Sequence, residues 1–163
     1  MTARRPMDLA AYVRRVRGGP CFLCAIAAHE PIYHEHHIIY EDDSALVFLS
    51  KYPTLYGYTL VAPRAHREHV TGDFTPAEYL ALQGLVYRVG EGIRRAVPCE
   101  RLYLLSLGSA QGNAHPHWHV APLPPGVPYE EQQLAALHIG RGVLDLPAAE
   151  MAALALRIRA AMD

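Results

Sequence analysis

The sequence predicts an α+β fold, and three observations carry that reading. Two groups of short runs rich in β-branched and aromatic residues, 37–62 and 102–120, have the pattern of strands. Between them lies one long stretch with helical periodicity, so strands precede and follow a helix that can cover a face of their sheet. Of the 163 residues, 51% are hydrophobic and 19% charged, which excludes a disordered, collagen-like or coiled-coil chain. That length fits one domain, taken as 1–163.

Each element has its own signal. Asp8 precedes Leu9, Tyr12, Val13 and Val16, an i, i+3, i+4, i+7 pattern that predicts a short amphipathic helix stopped by Gly18-Gly19-Pro20. Cys21 to Ala28 can form a second helical turn. His37 to Tyr40, Ala45 to Leu49 and Tyr58 to Ala62 read as an antiparallel meander, separated by Asp42-Asp43 and by the turn from Tyr52-Pro53 to Gly57. Thr75-Pro76-Ala77-Glu78 combines an N-cap, a proline at the first helical position and a glutamate three residues on. Behind it Tyr79, Leu82, Val86, Val89, Ile93 and Val97 keep one apolar stripe as far as Pro98. Two further strands are expected at 102–107 and from His115 to Val120. Pro122, Pro124, Pro125 and Pro128 predict an extended loop, and Asp145-Leu146-Pro147 opens a last helix with Met151, Leu154, Ala155 and Ile158 on one side.

Fifteen basic against sixteen acidic residues leave a formal charge of -1, so no global footprint for nucleic acid or an anionic membrane exists. Any anionic ligand must be held locally. No apolar run approaches the roughly 18 residues of a membrane span, and the arginines near the start lead into no apolar signal segment. A cytoplasmic location is the default expectation. Three cysteines, Cys21, Cys24 and Cys99, are too few for a disulfide framework, and Cys99 reads as packing.

The anomaly is ten histidines. In His115-Pro116-His117-Trp118-His119 the two-residue period of a strand places three imidazoles on one face, and apolar core faces are not built from histidine. An exposed histidine-rich strand is the bland alternative. His34, His36 and His37 read more simply as a solvated loop. Cys21-Phe22-Leu23-Cys24 has the spacing that lets two thiolates reach one tetrahedral Zn²⁺, with His66 and one histidine of the triplet as available nitrogen partners. A thiol redox pair, or two buried cysteines, would use the same spacing.

Taken together these residues resemble the histidine triad, or HIT, family of nucleotide hydrolases and transferases. The likeness runs in order from about Cys21 to Pro122: Val47-Phe48-Leu49-Ser50, Pro53, Gly57, Leu60-Val61-Ala62-Pro63-Arg64-Ala65-His66, the loop Gly108-Ser109-Ala110-Gln111, and the triad followed by Val120-Ala121-Pro122. The resemblance implies a five-stranded antiparallel sheet flanked by helices, a core at about 21–122 with a loop and helix at 123–163, and pairing into a homodimer. An interface including the helix from Thr75 to Val97 is the expectation, although its apolar stripe could equally be spent on the sheet.

For chemistry, the resemblance implies that His117 attacks the α-phosphorus of an adenine nucleotide derivative while His119 contacts the phosphate and protonates the leaving group. A neutral imidazole whose other nitrogen donates to a fixed acceptor is a competent nucleophile near neutral pH. Ser109, Gln111 and Asn113 would meet the phosphoryl oxygens. The branch containing galactose-1-phosphate uridylyltransferase implies a structural Zn²⁺ on Cys21, Cys24, His66 and His115, and the His-Pro-His sequence is similar to that branch. Tyr52-Pro53 is similar to diadenosine tetraphosphate phosphorylases.

The chain departs from the family at Ser50, where many members hold the ribose with an aspartate, and at Tyr58, where a histidine is usual. Trp118 should point to the opposite face of the sheet. The catalytic reading further expects His117 to face an open hollow. A zinc-stabilised nucleotide-binding module and a redox protein using Cys21 and Cys24 are the competing functions.

Overall fold

The computed structural model describes residues 3–33 and 35–163, so His34 lies outside the described residues. Five strands, β2 (Ile38–Glu41), β3 (Ala45–Leu49), β4 (Thr59–Pro63), β5 (Arg101–Ser106) and β6 (Trp118–Leu123), form an antiparallel sheet in the order β2-β3-β4-β6-β5. The α+β expectation holds. At the β2–β3 turn the Asp42 carboxylate accepts from the Ser44 and Ala45 backbone N–H groups and from the Ser44 and Tyr40 hydroxyls, which closes the hairpin.

The two faces of the sheet have separate cores. On one, Ile39, Val47, Val61, Trp118 and Val120 pack against α3 (Pro76–Ala96) and α5 (Ala148–Ala160). Trp118 is therefore where its alternation with the histidines put it. Helix α3 starts in a full capping box between Thr75 and Glu78, and its stripe of Leu82, Val86, Val89 and Ile93 is buried. Each such side chain contributes about 1.5–3 kcal/mol when removed from water, so the stripe is spent on this core, while Leu80 and Tyr87 of the same helix stay exposed. Met151, Leu154, Ala155 and Ile158 of α5 are buried against it.

On the opposite face Leu46, Phe48, Leu60, Ala62, Ala121 and Leu123 pack against Leu23 and Ile26 of α2 (Phe22–Ala27) and Ala136 of α4 (Leu134–Leu137). His119 shares this parity with Ala121 and Leu123. The short helix carrying Cys24 thus lies over the face toward which the histidines alternate.

Two elements differ from expectation. Strand β6 begins at Trp118 and not at His115, because pairing to both β4 and β5 stops at Trp118 and Pro116 has no N–H to extend it. A two-stranded ribbon of β1 (Arg4–Arg5) and β7 (Val143–Leu144), each too short to carry an alternation, had no sequence signal. Helix α1 (Leu9–Gly18) forms with Asp8 as its N-cap, yet it buries no residue fully, and Leu9 and Val13 stay 42% and 43% exposed. Among the described residues no helix is long and apolar enough to cross a membrane.

Candidate active site and metal centre

The segment 115–119 enters β6 with its backbone fixed at several points. The Ser106 hydroxyl donates to the carbonyl of His117 at 2.9 Å, and His117 Nδ1 lies 2.9 Å from the carbonyl oxygen of His115. A carbonyl only accepts, so Nδ1 carries the hydrogen and Nε2 keeps its lone pair. Burial lowers the His117 pKa against the effect of that hydrogen bond, and the ring stays neutral at pH 7. The rings of His117 and His119 are 4.8 Å apart.

His119 has the complementary arrangement. Its Nδ1 lies 3.0 Å from the Tyr58 hydroxyl, whose O–H has no other acceptor among the described residues. Burial pushes the Tyr58 phenol up to about 12, so its O–H is kept and can donate to Nδ1, the arrangement that puts the hydrogen of His119 on Nε2. That Nε2 is buried with no hydrogen-bond partner among the described residues. Burial, and then the neighbouring His117, hold the His119 pKa down at about 3. Two adjacent imidazoles therefore present one lone pair and one N–H. Tyr58 was visible in sequence only as a departure, and its role depends on the β4–β6 register that pairs Leu60 with His119.

His117 keeps only 3% of its surface, and the ring of Phe22 meets it edge-on at 5.7 Å. The imidazole is sealed by α2 where an open hollow was expected, because α2 must sit close enough for its cysteine to reach the histidines.

The four proposed metal ligands do converge: one ligand atom from each of Cys21, Cys24, His66 and His115 lies within 4.8 Å of the others. Cys21 Sγ is 3.3 Å from His115 Nδ1, and Cys24 Sγ is 3.3 Å from His66 Nδ1 and 3.7 Å from His115 Nδ1. A tetrahedral ion with bonds of about 2.0–2.3 Å spaces its ligand atoms by about 3.5 Å. Nε2 of His115 donates to the Pro63 carbonyl at 3.0 Å, and Nε2 of His66 faces Glu68 at 3.5 Å, so both rings turn an unprotonated Nδ1 to the centre. Burial first, then the adjoining Cys21, raises the Cys24 thiol to about 11, a strain that a cation at the centre relieves. The cluster is fit for a metal. Each cysteine faces an imidazole, which favours the metal reading over the redox alternative.

The 108–113 loop follows β5, leads into His115 and packs against α1. Ser109 and Gly112 bridge, the Ser109 hydroxyl accepts from Gln111 N, and Asn113 adopts φ +56° with its amide donating to Tyr12. Ser50 lies in a turn where its hydroxyl accepts from Tyr52 N at 3.3 Å. His36 is tucked between Tyr33 and Phe48 and is less solvated than a loop histidine. A groove of about 670 Å³ runs along β5, lined by residues such as Tyr103, Leu105, Gln133 and Leu134. It contains neither histidine nor cysteine, so size does not mark the chemistry here.

Comparison with known proteins agrees with this geometry. A family model described as "HIT domain" matches residues 33–125. An uncharacterized HIT-like protein of Saccharolobus solfataricus is 30% identical over 92 residues, which cover 53% of this chain and 63% of that protein; the chain thus spans less than two thirds of that relative's length. The crystal structure of a hypothetical histidine triad nucleotide-binding protein from Sulfolobus tokodaii superposes with a TM-score of 0.68 at 27% identity, covering 87% of this chain and 91% of that one. A Zn-bound histidine triad family protein from Mycobacterium smegmatis has the same fold, with a TM-score of 0.67 at 23% identity over 86% of this chain and 93% of that one.

Proposed function

The chain belongs to the HIT domain family, and from that premise we propose that it is a nucleotide hydrolase or nucleotidyltransferase acting at the α-phosphate of an adenine nucleotide derivative. One observation carries the reading: the 2.9 Å contact of His117 Nδ1 with the His115 carbonyl, which leaves Nε2 as a neutral nucleophile. Nε2 attacks the α-phosphorus, the bond from phosphorus to the leaving oxygen or nitrogen breaks, and that atom takes the hydrogen from His119 Nε2. Water, or phosphate, then attacks the nucleotidyl-His117. The P–N bond breaks, its electron pair returns to Nε2, and the attacking oxygen gives its hydrogen to His119. Ser109, Gln111 and Asn113 bind the phosphoryl oxygens, and Ser50 lies on the ribose side.

We assign a structural Zn²⁺ to Cys21, Cys24, His66 and His115. Four protein ligands close its shell, so the metal orders the N-terminal segment against the triad and supplies no open position for chemistry. Pro116 and Tyr52-Pro53 align our reading with the uridylyltransferase and dinucleoside tetraphosphate phosphorylase branch. We further read the protein as a single-domain cytoplasmic homodimer.

The test is to incubate the wild type and His117→Asn with dinucleoside polyphosphates, adenosine phosphoramidates and nucleotide sugars, with and without phosphate. The expected result is a nucleotide adduct in the intact mass of the wild type and none in the variant. Turnover of the variant at the wild-type rate would remove the proposed nucleophile.

A further inference from the structure

We propose that helix α1 is a polyphosphate clamp: Arg15 and Arg17 select nucleotides whose leaving group carries further phosphates over adenylates with an uncharged leaving group. This rests on the nucleotidyl-transfer reading above and names its substrate class.

The ten residues of α1 carry three arginines and no carboxylate, although the whole chain has a charge of -1. Helix α1 lies against the 108–113 loop. The Tyr12 hydroxyl accepts from the Asn113 amide, and α1 comes so close to the loop that a Cβ on Gly112 would fall 2.5 Å from Val16 Cγ1. Only glycine there allows this approach.

Both guanidiniums rest on neutral groups of the site's rim. Arg17 Nη2 donates to Gln111 Oε1 at 2.8 Å, on the loop assigned to the phosphoryl oxygens. Arg15 Nη2 donates to the Tyr52 hydroxyl at 2.8 Å, and its guanidinium lies 5.5 and 5.6 Å from the ring centres of Tyr12 and Tyr52. Tyr52 N in turn bonds the Ser50 hydroxyl, so α1 joins the ribose side to the phosphate side. Among the described residues the side-chain hydrogen-bond partners of both arginines are neutral, an amide oxygen and a phenol.

Between helix and loop is a hollow of about 180 Å³, lined by Tyr12, Val16, Arg17, Ser109, Gln111 and Gly112. Val13 also lines it, so its wall on the α1 side is mostly apolar, and among the described residues Arg17 is the one arginine that reaches it. A phosphate oxygen would replace each neutral acceptor with a charge-assisted, bidentate contact about twice as strong, the geometry for which guanidinium is built. Because α1 buries no side chain fully, it can settle onto such a ligand without unpacking a core.

The experiment compares wild type, Arg15→Ala/Arg17→Ala and Arg15→Lys/Arg17→Lys on two substrates sharing the adenylyl group, diadenosine tetraphosphate and adenosine phosphoramidate. In parallel, calorimetry compares adenosine tetraphosphate with AMP at two salt concentrations. The ratio of kcat/KM between the substrates should fall about tenfold or more in the alanine variant and recover only in part in the lysine variant, which restores the charge but not the bidentate fork. The binding preference for tetraphosphate over AMP should weaken with salt and vanish in the alanine variant. An unchanged ratio, or equal losses on both substrates, would reduce α1 to packing and overturn the clamp. Should the wild type turn over neither substrate while the arginine-dependent binding preference persists, the catalytic reading falls and the clamp stands; absence of that preference removes the clamp.

Discussion

The hydroxyl of Tyr58 lies 3.0 Å from Nδ1 of His119, at a position where the family pattern usually has a histidine. The phenol stays protonated, and by donating to Nδ1 that single bond would place the hydrogen of His119 on Nε2. Leaving the buried Nδ1 without its donor costs about 1–3 kcal/mol. Tyr58→Phe is therefore expected to lower kcat about tenfold or more and to turn His119 into a mixture of tautomers by ¹⁵N NMR. A single unchanged tautomer with kcat within about twofold would show that the phenol does not position the ring.

The same burial makes His119 a source of acid sensitivity. Its folded pKa, at about 3, lies below the ordinary ~6.5 of an unfolded histidine, so the unfolded chain binds the extra proton. The contribution is complete above pH 6.5 and is lost as pH falls toward 3, with a slope of at most about 1.4 kcal/mol per pH unit. Urea unfolding at pH 7, 6 and 5 should show a steeper loss for the wild type than for His119→Gln. Comparing the two cancels the pH dependence of the metal site. Parallel slopes would mean that His119 titrates as a solvated group.

Metal at the Cys21, Cys24, His66 and His115 cluster ties α2 to His66 just past β4 and to His115 ahead of β6, across separations of up to 94 residues. Binding that exists only in the folded state adds its free energy to folding. Cys24→Ser, or a strong chelator, is expected to remove one equivalent of zinc and about 3 kcal/mol of stability, a Tm fall on the order of 10 °C. Zinc content is read by elemental analysis. A metal-free wild type purified without chelator, or a variant that keeps its zinc, would refute the ligand set.

Local signals were legible wherever one short segment decides its own conformation. The Thr75–Glu78 capping box and the stripe behind it located α3, and the Cys21–Cys24 spacing anticipated two sulfurs on one helical turn. Alternation around Trp118 gave the correct side for the indole. What escaped depends on contacts distant in sequence: Tyr58 matters because of an atom 61 residues away, and β1 pairs with β7 across 138 residues. Periodicity in Leu9, Val13 and Val16 predicted a helix but not whether anything would cover it, and two of these side chains remain exposed. Nor could alternation reveal that α2 would cover His117, since that follows from the reach of Cys24 to His66 and His115.

Phe22 is the point at which metal site and candidate nucleophile meet. It follows Cys21 directly, so the chain that reaches the cluster also lays a phenyl ring edge-on against His117. Burial keeps the imidazole neutral, and the Phe22 ring is one of the groups packed against it. Phe22→Ala is expected to speed modification of His117 by diethyl pyrocarbonate about tenfold or more, with zinc retained because both thiols stay. The half-buried ring leaves a gap, so a stability loss of about 1–3 kcal/mol should accompany it. If His117 in the variant reacted no faster, with peptide mapping to separate it from the other histidines, the backbone of α2 rather than this side chain would be what closes the site.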